Sequence, residues 1–126
     1  MADYDQVQDS GTRQSFDTGS VRDTQAGKGR FDLISPEVTR RDAKHMENGA
    51  VKYGVRNWEK GQPLMRYLDS ALRHINAWQL GMTDEDHLAA ARWNLGCIMH
   101  TEWAIRLGLL PEELDDSPCY TRGRGE

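Results

Sequence analysis

Cysteine is scarce, and the two present, Cys97 and Cys119, show no paired spacing. That argues against a zinc knuckle or a disulfide framework and points to a reducing setting. No apolar run approaches the roughly 20 residues that span a bilayer. The N-terminus also lacks the basic, apolar and small-residue succession of a signal peptide. The expectation is a soluble, cytoplasmic protein with no membrane partner. A basic excess is missing as well. The net charge is −4 over 126 residues, so direct nucleic-acid binding is not expected. Neither an internal repeat nor a strand-like alternation of any length is evident.

What is present reads as one small all-α domain between polar ends. Residues 1–18 are rich in Asp, Gln, Ser, Thr and Gly, a composition that cannot bury enough apolar surface to offset its ordering entropy, and they are expected to form a disordered tail. Residues 19–110 are assigned to the helical domain, and residues 111–126 to a short helix and a flexible tail. Near the start of the domain, Gly27 and Gly29 flank Lys28, with Arg30 following. This segment reads either as a linker with ordinary solvated charges or as a basic strap over a polyanion. It is not a phosphate-binding loop of the GxxxxGK[ST] type, because that spacing is missing.

Three helices follow. Ser35-Pro36-Glu37 is a helix start, with a capping hydroxyl, a proline suited to the first position and an acid at the positive end. This helix should end at Tyr53, before Gly54, with Val38, Met46, Ala50 and Tyr53 facing the core and Glu47 leaning inwards. The second helix spans residues 63–80, with Leu64, Leu68, Ala71, Leu72, Ile75 and Trp78 as its core stripe. Asp69, Arg73 and Asn76 form another face, beside His74. Thr83 with Asp86 three residues later suits a capping box. The third helix then runs to Leu107, with Leu88, Ala91, Leu95, Ile98 and Met99 as core positions and Gly108 as its stop. The short Gly81-Met82 connection makes helices two and three antiparallel neighbours.

The chemistry-bearing residues gather in a loop and on the facing helices. In residues 55–62, Arg56 and Lys60 suit phosphate, Trp58 can stack on a base, and Asn57 can read a base edge. Trp58 reads equally as a lid over helix ends. Glu47, Asp69 and the Asp84-Glu85-Asp86 cluster, with His74 and His87 nearby, suggest a Mg²⁺ site built from facing helices. Lys28, Arg30, Lys52, Arg56, Lys60 and Arg73 would then neutralise phosphates. The structural alternatives are equally concrete. In them Asp86 is a helix cap, Asp84 and Glu85 are charges matching the helix dipole, and Asp69 is a partner of Arg73. Asn94 is either a buried hydrogen-bonding residue or a nucleotide contact. His45 and His100 are given no role.

Several blocks together resemble a known family: Gly19-Ser20-Val21-Arg22-Asp23, Gly27-Lys28-Gly29-Arg30-Phe31-Asp32-Leu33, Arg56-Asn57-Trp58-Glu59-Lys60-Gly61, Tyr67-Leu68-Asp69-Ser70-Ala71-Leu72-Arg73-His74 and Asp84-Glu85-Asp86-His87-Leu88. Over about residues 19–107 the chain resembles the phage-encoded domain named dATP/dGTP diphosphohydrolase, N-terminal. The resemblance implies a MazG-like bundle of three main helices completed by oligomerisation, as a homodimer or homotetramer. It also implies cleavage of dATP or dGTP to monophosphate and pyrophosphate with Mg²⁺ or Mn²⁺. The base would meet Trp58 and Asn57, and the phosphates the basic residues above. Glu47, Asp69, Asp86 and His87 would hold metal, and Asp69 and His74 would be catalytic. MazG-like enzymes carry EExxE on one helix and ExxD on the next. This chain has no EExxE, and its counterpart of ExxD is Asp84-x-x-His87, followed by Asn94. Two rivals stay open: a module that sequesters a nucleotide or a nucleotide-derived signal uncut, and an interaction protein using Trp78, Trp93 and Trp103.

Overall fold

A computed structural model describes residues 6–122. The chain divides into two compact units, Met1–Ile34 and Ser35–Glu126. The ends of both expected tails, residues 1–5 and 123–126, lie outside the described residues.

The first unit holds a feature that periodicity does not reveal. Strand β1 (Arg13–Ser15) pairs antiparallel with β2 (Val21–Asp23), in the register Arg13↔Asp23, Gln14↔Arg22, Ser15↔Val21. β1 lies within the stretch expected to be a tail. Strands of three residues with no buried member carry no apolar alternation, so only their ladder and turn define them. Gly19, at φ +89°, donates to Phe16 O at 2.9 Å to close the turn. Asp23 anchors the unit, accepting from Ser10 Oγ and from Lys28 Nζ at 2.9 Å.

The second unit is the helical bundle. Helix α1 (Pro36–Tyr53) is capped by Ser35, whose side chain accepts from Val38 N, and it stops at Gly54, at φ +94°. A 3-10 turn (Asn57–Lys60) leads to α2 (Leu64–Gln79) and then α3 (His87–Arg106). The final short helix is a 3-10 turn (Glu112–Leu114). The all-α expectation therefore holds, with the exposed hairpin as its one correction. No helix among the described residues is long and apolar enough to cross a membrane.

The core lies chiefly between α2 and α3 and is rich in alanine, with Tyr67 and Thr101 its largest fully buried side chains. α2 buries Leu64, Tyr67, Ala71, His74 and Ala77. α3 buries Ala89, Ala90, Ala91, Cys97 and Ala104, together with the polar His87, Asn94 and Thr101. The buried face of α2 is thus rotated from the expected stripe, and Leu72 and Trp78 remain 56% and 55% exposed. On α3, Leu95 and Met99 are likewise exposed. The physical reason is close approach: alanines let the two backbones pack tightly, and the bulky side chains are turned outwards. α1 has no buried residue, Tyr53 is exposed, and Glu47 is turned to solvent rather than inwards. It is tied to α3 by Arg41–Asp86 and Arg92–Asp42 pairs. Of the two expected caps of α3, the structure takes Asp86 and not Thr83. Asp86 itself is the cap, accepting from Ala89 N at 3.1 Å, while Thr83 stays in the preceding turn.

Candidate functional site

α1, the turn after it and the first half of the α2–α3 pair enclose a cleft of about 1010 Å³. α1 contributes Glu47 and Lys52 to its wall, and the following turn contributes Arg56, Asn57 and Trp58. α2 adds Arg66, Arg73 and His74, and α3 adds Trp93 and Asn94, with Glu85 just ahead of it. Most of the expected site residues of this unit therefore share one cavity. Such a concave site, with aromatic walls and a few convergent polar groups, is where a small-molecule ligand is sought first.

The aromatic wall is made of packed rings. Trp58 is half-buried and meets the His100 ring edge-on at a centroid distance of 4.7 Å. Trp93 is held between His45 and Tyr67, at 5.5 Å and 6.2 Å. Trp58 is thus both a lid packed on α3 and a wall of the cleft. Arg56 adopts a left-handed conformation, at φ +61°, and pairs with Glu59 at 2.6 Å. Lys52 lies 5.1 Å from the Tyr53 ring. Asn94 is buried, with its Nδ2 donating to Ala90 O at 2.8 Å.

The end of the cleft carries a chain of hydrogen bonds between α2 and α3. His87 Nε2 is 2.8 Å from Asp84 Oδ1, and His87 Nδ1 is 3.0 Å from His74 Nδ1. An ionised Asp84 can only accept, so Nε2 of His87 carries a proton. In neutral His87, Nδ1 then accepts from the Nδ1–H of His74. That leaves Nε2 as the His74 nitrogen not engaged with His87. Glu85 Oε1 stands 3.8 Å from His74 Nδ1. Burial lowers the pKa of His74, and the positive charge of Arg73 adds to this, while Glu85 opposes it. The hydrogen bond from His87 holds Asp84 below the usual carboxylate range.

The other expected site residues lie apart from this cluster. Asp86 pairs with Arg41 in bidentate fashion, which lowers its carboxyl pKa to about 2. Asp69 is exposed, 3.6 Å from Arg66, and outside the cleft lining. Glu47 lines the cleft and pairs with Lys44 at 3.1 Å. Lys60 is exposed and outside the lining. Lys28 and Arg30 belong to the first unit, where they pair with Asp23 and Asp32. The carboxylates Glu47, Asp69 and Asp86 are therefore not brought together, and a Mg²⁺ shell made by the protein alone is not assembled from them. The donor group that does assemble is His74, Glu85 and His87.

The sequence placed the Asp84-Glu85-Asp86 cluster near His74 and His87, but the expected ligand set kept Asp86 and left out Asp84 and Glu85, the two acids that face the histidines. The signal was available in the connection. His74 lies six residues before Leu80, and His87 lies six after Gly81. Positions equidistant from the turn of an antiparallel helix pair face one another. Arg66, Ser70 and Trp93 were also passed over as cleft residues, and nothing in their spacing marks them out.

Residues 18–108 match the family described as dATP/dGTP diphosphohydrolase, N-terminal. No curated protein and no solved structure matches the chain.

Proposed function

Because the chain belongs to the dATP/dGTP diphosphohydrolase N-terminal family, we propose that its cleft binds a purine deoxynucleoside triphosphate and hydrolyses it to monophosphate and pyrophosphate. The single observation that carries this reading is the Asp84–His87–His74 chain, which ends at a cleft lined by arginines and tryptophans. In this reading the base stacks on Trp58 and hydrogen-bonds to Asn57. Arg73, Arg56 and Lys52 meet the phosphates, with the arginine forks suited to bidentate contact. Water adds to the α-phosphorus, the bond to the bridging oxygen of the β-phosphate breaks, and pyrophosphate leaves. His74 orients that water through Nε2, and the hydrogen bond passed on to Asp84 fixes the ring. Of the expected carboxylates Glu47 alone lines the cleft, and it would hold a nucleotide-borne Mg²⁺ (or Mn²⁺), which would supply charge neutralisation at the leaving group.

The reading includes assembly of copies. Met65 and Leu72 on α2 repeat at seven residues, and Leu95, Met99 and Trp103 on α3 repeat at four, all exposed. Two apolar helix stripes on so small a domain suit burial against a second copy, giving a dimer or tetramer.

A second reading, capture of the nucleotide or a nucleotide-derived signal without cleavage, is favoured by one observation. Asp69 and Asp86 are each turned to an arginine rather than to the cleft. Incubation with a panel of dNTPs and NTPs, followed by chromatography, separates the two. Monophosphate with pyrophosphate supports hydrolysis, and tight binding of intact ligand supports capture. Absence of binding to every nucleotide sinks both.

A further inference from the structure

We propose that His74, Glu85 and His87 form a binding site for a first-row transition-metal dication of the zinc type, separate from any Mg²⁺ carried in by a nucleotide. The proposal goes beyond the reading above and does not rest on it: a bound metal would replace the His74–His87 hydrogen bond.

One donor atom from each of the three side chains lies within 4.8 Å of the other two. His74 Nδ1 is 3.0 Å from His87 Nδ1 and 3.8 Å from Glu85 Oε1. Zinc bonds of about 2.0–2.2 Å in a tetrahedron place neighbouring donors roughly 3.3 Å apart. The two measured separations bracket that spacing. The two histidines are 7% and 5% exposed and fixed on packed helices, whereas Glu85 sits in the turn before α3 with an exposed side chain. Closing the site therefore needs motion chiefly from the group best able to move.

The donor chemistry selects the ion. Two imidazoles and one carboxylate suit zinc and its neighbours, and they match the protein ligands of zinc sites that leave a fourth position open. Mg²⁺ prefers oxygen donors and gives up water reluctantly. An outer partner is already in place. Asp84 Oδ1 accepts from His87 Nε2–H at 2.8 Å, the carboxylate–histidine arrangement that fixes the ring and directs Nδ1 to a metal. On binding, His74 would move its proton from Nδ1 to Nε2, so that both Nδ1 lone pairs become free without net proton release from the histidines. Among the described residues the remaining histidines offer no comparable group. His45 packs on Trp93, and His100 lies between Trp58 and Trp103.

The test is calorimetric titration of the full chain with Zn²⁺, then with Mg²⁺, in the absence of nucleotide. Co²⁺ serves as a visible-absorption probe of coordination geometry. The expected result is one Zn²⁺ per chain, not displaced by equimolar Mg²⁺, and a tetrahedral-type Co²⁺ spectrum. Glu85→Gln, at an exposed position, should weaken Zn²⁺ binding roughly tenfold or more. Asp84→Asn should weaken it by about 10–100-fold, with the helical circular dichroism of both variants unchanged. Lack of saturable one-to-one binding, equal affinity in both variants, or displacement by equimolar Mg²⁺ would overturn the proposal. Because no nucleotide is present, failure of hydrolysis and failure of this site are read separately.

Discussion

His74 and His87 are buried, yet neither is a simple core residue. Each is satisfied through the other, and the chain of bonds ends on Asp84. His74→Ala should therefore abolish turnover while nucleotide binding to the arginine and tryptophan wall falls by less than about tenfold. Single-turnover assays and equilibrium binding check the two halves. Asp69 makes a contrasting case, because its carboxylate is exposed and outside the cleft lining. Asp69→Asn should keep kcat/KM within about twofold of the parent chain, and a loss of activity would return Asp69 to the site. Burial acts on two more side chains. It pushes the Cys97 thiol from 9.0 up to about 12 and the Tyr67 phenol from 10.0 up to about 12. Folded, both keep their protons up to about pH 12, whereas the unfolded chain loses them near 9 and 10. The unfolded state then binds fewer protons in that interval, so stability present below about pH 9 is lost as pH rises towards 12. Urea midpoints at about pH 7 and about pH 10.5 should show the fall, and equal midpoints would contradict it. A thiol reagent at neutral pH should modify Cys119 promptly and Cys97 only on unfolding.

At the scale of elements, helix ends were legible in the sequence because caps and stops are local chemistry. Ser35 caps α1, and Gly54, Gly81 and Gly108 all take positive φ where the helices stop. Two ends take support from distant residues, and that support was not legible even where the boundary, as at Pro63, was. α2 begins after Pro63, which offers no side-chain cap, and Asp116 from the C-terminal segment accepts from Met65 N at 2.9 Å instead. Asp116→Ala should cost about 1 kcal/mol, seen as a lower midpoint of thermal unfolding. Gly61 has φ +86°, and a Cβ there would stand 2.8 Å from Leu114 Cδ1 and 3.0 Å from Leu110 Cδ1. Gly61→Ala should cost about 1–3 kcal/mol for the backbone alone, since φ +86° with ψ 147° is a conformation essentially confined to glycine, with added strain against those leucines. A variant as stable as the parent in urea would show that the turn relaxes freely. The hairpin escaped notice for the opposite reason: its strands are short, polar and exposed, so backbone pairing leaves no mark on residue pattern.

At the scale of the molecule, the all-α class and the three helices followed from periodicity and capping, and the family followed from blocks spread over most of the chain. Which face of each helix is buried did not follow. α2 carries two candidate faces that share Leu64 and Ala71, and hydrophobicity alone favours the one with Leu68, Leu72, Ile75 and Trp78. The face with Tyr67, His74 and Ala77 is the one buried, leaving Leu72, Leu95 and Met99 outside. If those side chains are covered by a second copy, sedimentation will report a dimer or tetramer, and Leu72→Glu with Met99→Glu will shift it to monomer without loss of helix signal. The facing of His74 and His87 across the turn was legible only from their equal distances to the connection, not from periodicity. The central claim is that this cleft turns a purine deoxynucleoside triphosphate into monophosphate and pyrophosphate. The most direct measurement is chromatography of dATP and dGTP after incubation with the full chain and Mg²⁺ or Mn²⁺, beside a His74→Ala control. The predicted result is dAMP or dGMP with equimolar pyrophosphate from the parent chain and intact triphosphate from the control. Intact triphosphate from the parent chain, or diphosphate with inorganic phosphate, would contradict the claim.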